Sequence, residues 1–178
     1  MSIIVPNGFK SIDPKTELND NMIKTIGSEW MLISARRPSS DEYNMMTASW
    51  GNVGFLWNKP VFTCYVRPQR YTFEFTENTD TIALSFFGDS CRDALKFCGS
   101  KSGRDCDKAA ECGLTPRFDI DDAVYFDEAR MVIVGRKLYT DMIRDEAFVD
   151  RSIVPACYAA GDFHKLYICE MTGVFIKE

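Results

Sequence analysis

The chain holds a single histidine, His164, in 178 residues, and no two of its seven cysteines are spaced C-x-x-C. A mixed Cys/His metal cage and a thioredoxin-like redox pair therefore lack their usual donors. No apolar run approaches the roughly 20 residues that a membrane helix needs. The opening MSIIVPNGFKSIDPK has no basic region followed by a long apolar stretch, so no signal peptide is expected. Basic residues are in deficit: 21 Lys and Arg against 26 Asp and Glu leave a net charge of −5. That balance argues against a nucleic-acid groove or a basic membrane-facing patch. Internal repeats, low-complexity tracts and a Pro/Gly/Ser-rich linker are missing as well. The expectation is one soluble, cytoplasmic domain over residues 1–178, with neither nucleic acid nor membrane as partner. Residues 1–25, polar and broken by Pro6 and Pro14, read as an N-terminal arm.

What the chain does have is an ordinary globular composition, 46% hydrophobic and 26% charged. The cysteines, at 64, 91, 98, 106, 112, 157 and 169, read as reduced and mostly buried thiols. Cys64 and Cys169 lie in strand-like runs and are the ones to watch for a redox role. Alternating apolar residues predict strands at Ser28–Arg36 and Thr81–Phe87. Two more strands are expected between Met45 and Pro68, with a turn at Trp57-Asn58-Lys59-Pro60. Arg70–Asn78 reads as a helical turn, Ser90 caps a helix over CRDALKFC, and Asp105 caps another over CDKAAEC that Gly113 ends. Beyond Pro116 the pattern predicts strands again, with one helical turn at Ser152–Tyr158. Strands and helices alternate irregularly, so a doubly wound parallel sheet is not supported. The pattern predicts a β-rich α+β fold, a mostly antiparallel barrel or closed sheet with short helices at its ends.

Several chemical motifs are absent. No G-x-G-x-x-G follows a strand, Gly99-Ser-Lys-Ser-Gly103 does not match a phosphate loop, and no G-x-S-x-G elbow is present. The informative stretch is Asn44–Thr72. It opens on N-M-M-T-A-S-W, where small and hydroxyl residues precede a tryptophan, and closes on Y-V-R-P-Q-R-Y-T. Small residues such as Ala48 and Ser49 let a flat ring approach the main chain. Arg67 and Arg70, three apart before a helix start, are what a phosphomonoester needs. On composition alone, an edge strand with solvated arginines and a core tryptophan explains the same stretch.

The succession M-T-A-S-W-G, W-N-K-P-V, Y-V-R-P-Q-R-Y-T, L-S-F-F, S-G-R-D-x-D-K, R-K-L-Y and G-D-F-H-x-x-Y-I resembles the flavin reductase-like proteins, and among them the flavoredoxin branch. The likeness runs from about Trp30 to Val174. It implies an FMN-binding split β-barrel with Greek-key-like antiparallel strands. It also implies a homodimer with non-covalent FMN near the interface, and electron transfer from NADH or NADPH to flavin or a downstream acceptor, including a redox partner protein. A non-catalytic FMN-binding protein or electron carrier is the alternative, and a thiol-redox sensor with a low-pKa cysteine a third. No motif separates NADH from NADPH, names the acceptor, or decides whether FMN is a prosthetic group or a substrate.

Carried onto this chain, the resemblance places Met46, Thr47, Ala48, Ser49 and Trp50 along the flavin ring and ribityl chain. It places Val66, Arg67, Arg70 and Thr72 at the phosphate end, with Lys101, Ser102 and Gly103 closing over it. His164, in G-D-F-H, lies by the flavin face where nicotinamide docks and orients it without acting as an obligatory acid. Arg104, Asp105, Asp107 and Lys108 read instead as a helix cap and a surface charge pattern. Two positions depart from the family pattern: Gly135 stands where C-R-K-L-Y has cysteine, and Cys169 where Y-I-G-E has glycine.

Overall fold

The computed structural model describes residues 4–120 and 122–178. In chain order the elements are β1 (Phe9–Ser11), α1 (Met22–Lys24), β2 (Met31–Arg36), β3 (Tyr43–Ala48), β4 (Gly51–Leu56), β5 (Lys59–Val66), α2 (Tyr71–Glu77), β6 (Thr81–Phe86), α3 (Arg92–Ser100), α4 (Lys108–Cys112), β7 (Pro116–Arg117), β8 (Tyr125–Phe126), β9 (Met131–Met142), α5 (Ile153–Cys157) and β10 (Lys165–Lys177). Seven strands follow the path β3-β2-β6-β9-β10-β5-β4, every neighbour antiparallel. β9 runs along one edge of β10, while β5 and β1 share the other. The arm is thus stitched to the sheet by β1, with Phe9 and Ile12 buried. No helix among the described residues is long and apolar enough to cross a membrane.

Strand alternation explains how this sheet builds two cores. Ile33, Met46, Leu84, Ile133 and Val174 point to one side, where they meet Phe62, Cys64, Tyr167 and Cys169. Val53 of β4 packs on the same cluster, so residues from all seven strands of the path converge and the sheet rolls around them. The neighbouring residues Leu32, Met45, Ala83, Val132 and Phe175 point the other way. There they pack under Leu95 and Cys98 of α3, Ala109 of α4 and Tyr125 and Phe126 of β8. Both faces are covered, which is why β2, β6 and the first half of β9 read as continuous apolar runs. The end strands β3 and β4 share no ladder among the described residues, although only Ser49 and Trp50 lie between them. The barrel is split there.

Several expectations are corrected. The Met45–Pro68 stretch forms three strands, because the chain also breaks at Ser49-Trp50. The later turn narrows to Trp57 and Asn58, both with positive φ (50° and 59°), as a two-residue hairpin requires. Ser28 and Glu29 belong to a short π-helical turn rather than to β2. Ser90 does not cap α3, whose first residue follows Cys91 with no side-chain cap. Asp107, not Asp105, caps α4, its Oδ1 accepting from the N–H groups of Ala109 and Ala110 at 3.1 Å each. Gly113 ends α4 in the left-handed region, as expected.

Candidate functional site

Two adjoining cavities lie where β3 runs out into the corner before β4. The larger, about 460 Å³, is walled by Asn44, Met46, Arg67, Gln69, Arg70, Tyr71, Thr72, Cys98, Ser100, Lys101, Ser102, Gly103, Lys108 and Asp162. The smaller, about 130 Å³, is walled by Met46, Thr47, Ala48, Ser49, Trp50, Tyr65, Arg67, Arg70 and His164. Met46, Arg67 and Arg70 border both, so the two make one elongated cleft of small-molecule size.

All the residues singled out from the sequence line this cleft except Val66. Its side chain is fully buried in the barrel core with Cys64, because alternation along β5 turns residues 64 and 66 inward. Tyr65, facing the other way, takes the place on the cleft wall. Thr47 anchors the β3 end by donating to the Leu95 carbonyl of α3. Thr72 is buried and accepts from Asn44 Nδ2 at 2.9 Å. Gly103 presses on that same Asn44: a Cβ there would lie 2.1 Å from its Oδ1, so any larger residue would have to displace the Asn44 amide. Lys101 is exposed, and Arg70 donates to the Gly99 carbonyl at 2.9 Å.

Arg67 is heavily committed. One terminal nitrogen donates to Asp162, the other to the Cys157 carbonyl at 3.0 Å, and Nε to His164 Nε2 at 3.3 Å. Its guanidinium also stacks over the Tyr158 ring, 5.4 Å from the centroid. Asp162 accepts a second bond from Gln69, and the Arg67 contact holds its carboxyl below the usual range. His164 is buried among Trp50, Tyr65 and Tyr158, with ring centroids at 5.0, 6.4 and 5.6 Å. Burial and the Arg67 charge push its pKa down to about 4. The imidazole is therefore neutral at pH 7. With Nε2 accepting from Arg67, Nδ1 carries the proton and meets the Tyr158 hydroxyl at 3.0 Å.

The sequence reading missed Asn44, Tyr65, Gln69, Lys108 and Asp162. Asn44 was findable, since it shares a strand face with Met46. So was Asp162, two residues before His164 in the same motif. Lys108, read as surface charge, is only 4% exposed and lines the cleft. Its local sequence carries no sign of this. The two departures from the family pattern concern packing. A Cβ on Gly135 would lie 2.4 Å from Phe62 Cε1, and Cys169 is a fully buried core thiol that burial pushes well above its usual pKa. Cys64 and Cys98 are likewise pushed up to about 12, which removes them as reactive thiolates.

The cleft is small and aromatic at one end and cationic at the other. A family model described as flavin reductase like domain matches residues 23–178. Among solved structures, an FMN-binding protein from Thermus thermophilus superposes with a TM-score of 0.65 at 18% identity, covering 83% of this chain and 70% of that one. Flavoredoxin of Desulfovibrio vulgaris gives 0.64 at 21%, covering 84% and 69%. An FMN-binding domain of a flavin reductases-like enzyme from Shewanella baltica gives 0.65 at 16%, covering 98% and 80%. These likenesses establish the fold as the split barrel. No curated protein matches the chain.

Proposed function

The chain belongs to the flavin reductase-like family, and on that premise we propose that it binds FMN non-covalently in the cleft and acts as a flavoredoxin-like flavin oxidoreductase. NADH or NADPH is the electron donor, and the acceptor is free flavin or a partner protein. The observation that carries this reading is the polarity of one continuous cleft. Met46, Ala48 and Ser49 give a flat ring close access to the β3 edge, walled by Trp50 and Tyr65. Arg70, Lys101 and Ser102 supply donors at the far end for a phosphorylated tail. This donor set fits FMN. Bound FMN supplies the hydride-accepting and electron-passing chemistry, while the chain supplies position and electrostatics.

His164 serves as a wall and an orienting group, not as an acid. Its one proton is held between Nδ1 and the Tyr158 hydroxyl, and its other nitrogen is occupied by Arg67. Arg67 ties the β5 end to the segment carrying Asp162 and so keeps the aromatic box closed around His164. A homodimer belongs to the same proposal. β4 ends the sheet path and, with the turn that follows it, presents Phe55 and Trp57 to solvent, 62% and 54% exposed, and Trp50 at the cleft immediately precedes it. A second reading, an FMN electron carrier reduced by a partner protein, is favoured by the commitment of Arg67, which leaves less charge beside the ring end to greet a dinucleotide.

The visible spectrum, recorded after FMN is added and excess removed by gel filtration, tests the assignment. Flavin bands at about one equivalent per chain are expected. Loss of all flavin at micromolar protein overturns tight binding. Anaerobic addition of NADH or NADPH then separates the two readings, because only the reductase bleaches those bands.

A further inference from the structure

We propose that Cys98 and Cys112 form a redox-active dithiol, which a low-molecular-weight disulfide oxidises to an intramolecular disulfide tying α3 to α4 behind the cleft wall. The proposal does not depend on which ligand fills the cleft. All seven cysteines are free thiols. Cys98 and Cys112 stand 14 positions apart, yet α3 and α4 bring their sulfurs to 4.0 Å. Cys64 and Cys169 are wholly buried in the barrel core and closed to solvent. The α3–α4 pair differs, because Cys98 is buried against the larger cavity while Cys112 is partly exposed. One thiol meets solvent and the other waits beneath it. A disulfide holds its sulfurs about 2.05 Å apart, so they must approach by roughly 2 Å. Cys112 is the last residue of α4, a helix of five residues, and Gly113 follows it at φ 63° with nothing within 4 Å of where a Cβ would lie. That end of α4 has room to shift.

Hydrogen bonding sets the order of events. Cys112 donates to the Ala94 carbonyl at 3.8 Å, so in the contact between the sulfurs Cys98 donates and Cys112 accepts. Burial raises both thiols, Cys98 to about 12, but the Cys98 hydrogen bond and the Lys108 charge offset part of the rise at Cys112. Cys112 is therefore the entering thiol. Its thiolate attacks one sulfur of the small disulfide, whose S–S bond breaks and releases one small thiol. A mixed disulfide remains on Cys112. Two influences that held the Cys98 proton are then gone, the repulsion of a Cys112 charge and the hydrogen bond to it, while the Lys108 ammonium still favours the thiolate. Cys98 attacks the Cys112 sulfur, gives up its proton and expels the second small thiol. Two protein thiols are oxidised to one disulfide, and one small disulfide is reduced to two thiols. Lys101, Ser102 and Gly103 lie between the tied helices and line the cleft, so the bond stiffens that wall.

Trypsin cleavage after Lys and Arg places Cys98, Cys106 and Cys112 in three separate peptides, residues 97–101, 105–108 and 109–117. Native protein is incubated with glutathione disulfide, its remaining thiols are blocked, and the digest is mapped by mass spectrometry. Peptide 97–101 is expected joined to 109–117, with Cys64 and Cys169 still free. The oxidised protein is expected to melt about 5–10 °C higher, because the tie restricts the unfolded chain, and to return to its original midpoint with dithiothreitol. Cys98→Ser is expected to stop at the mixed disulfide, with one glutathione on Cys112, and Cys112→Ser to leave Cys98 unmodified. A wild-type map without the joined peptide, or with Cys106 in place of either partner, overturns the proposal. Glutathione found on Cys98 in Cys112→Ser overturns the order of attack. Should either variant fail to fold, the wild-type map and its melting shift decide by themselves.

Discussion

His164 couples the ring end of the cleft to the stability of the whole fold. Its imidazole titrates near 6.5 when unfolded but is pushed down to about 4 in the folded protein by burial and by Arg67. Between those values the unfolded chain binds the extra proton, so unfolding takes one up and stability falls as the pH falls. The contribution is fully present above about 6.5 and lost as the pH drops through about 4. Because the chain has one histidine, the upper part of this window belongs to His164, while nearer pH 4 the carboxyls of Glu29, Glu77 and Asp162, all held low in the fold, also take up protons on unfolding and add to the decline. The urea midpoint is expected to decline from about pH 7 to about pH 5.5 in the wild type and to flatten over that range in His164→Gln. An equally steep decline in that variant would place the titrating group elsewhere.

At the scale of elements, the tight point is where β9, β10 and β5 cross. Gly135 of β9 lies opposite Met171 of β10, and a Cβ there would meet the Phe62 ring of β5 at 2.4 Å and the Glu170 carbonyl at 2.9 Å. The carbonyl is main chain and cannot swing aside. Gly135→Ala is therefore expected to destabilise the protein by about 1–3 kcal/mol through overpacking. Gly54→Ala, at a β4 position with nothing within 4 Å of the added carbon, is expected to leave the melting temperature nearly unchanged. Differential scanning calorimetry of the two variants checks both, and a Gly135→Ala protein as stable as wild type would show that Phe62 has room to move. The same crowding explains the residue present: a cysteine at this position would need a different partner on β5.

At the scale of the molecule, a sheet rolled around one core and covered by helices on part of its outside leaves β4 bare. Phe55, Leu56 and Trp57 stand in solvent there, with Tyr139 and Met142 of β9 also exposed and the rings of Trp57 and Tyr139 6.3 Å apart. Sedimentation equilibrium is expected to give a dimer, and the pair Phe55→Glu and Trp57→Glu a monomer. A wild-type protein that sediments as a monomer at high concentration would assign this face to some other partner.

Although β1, α1 and the break between β3 and β4 escaped sequence reading, most of the element order was readable from the chain, because alternation and turn residues act over a few positions. Thr81–Phe87, Gly113 and the Trp57-Asn58 turn show this. The cleft was readable as far as its residues sit close together, along Met46–Trp50 and Arg67–Thr72. Only the tertiary structure decided which side chains face it. A single step of alternation put Tyr65 on the wall and Val66 in the core, and a helix starting two residues late moved the cap to Asp107. Arg67 meets Asp162 across 95 positions, and Lys108 reaches the Met45 carbonyl across 63. Burial and the choice of ionic partner are properties of the packed chain. No short stretch of sequence carries them, since the groups that bury a lysine or claim an arginine arrive from distant strands.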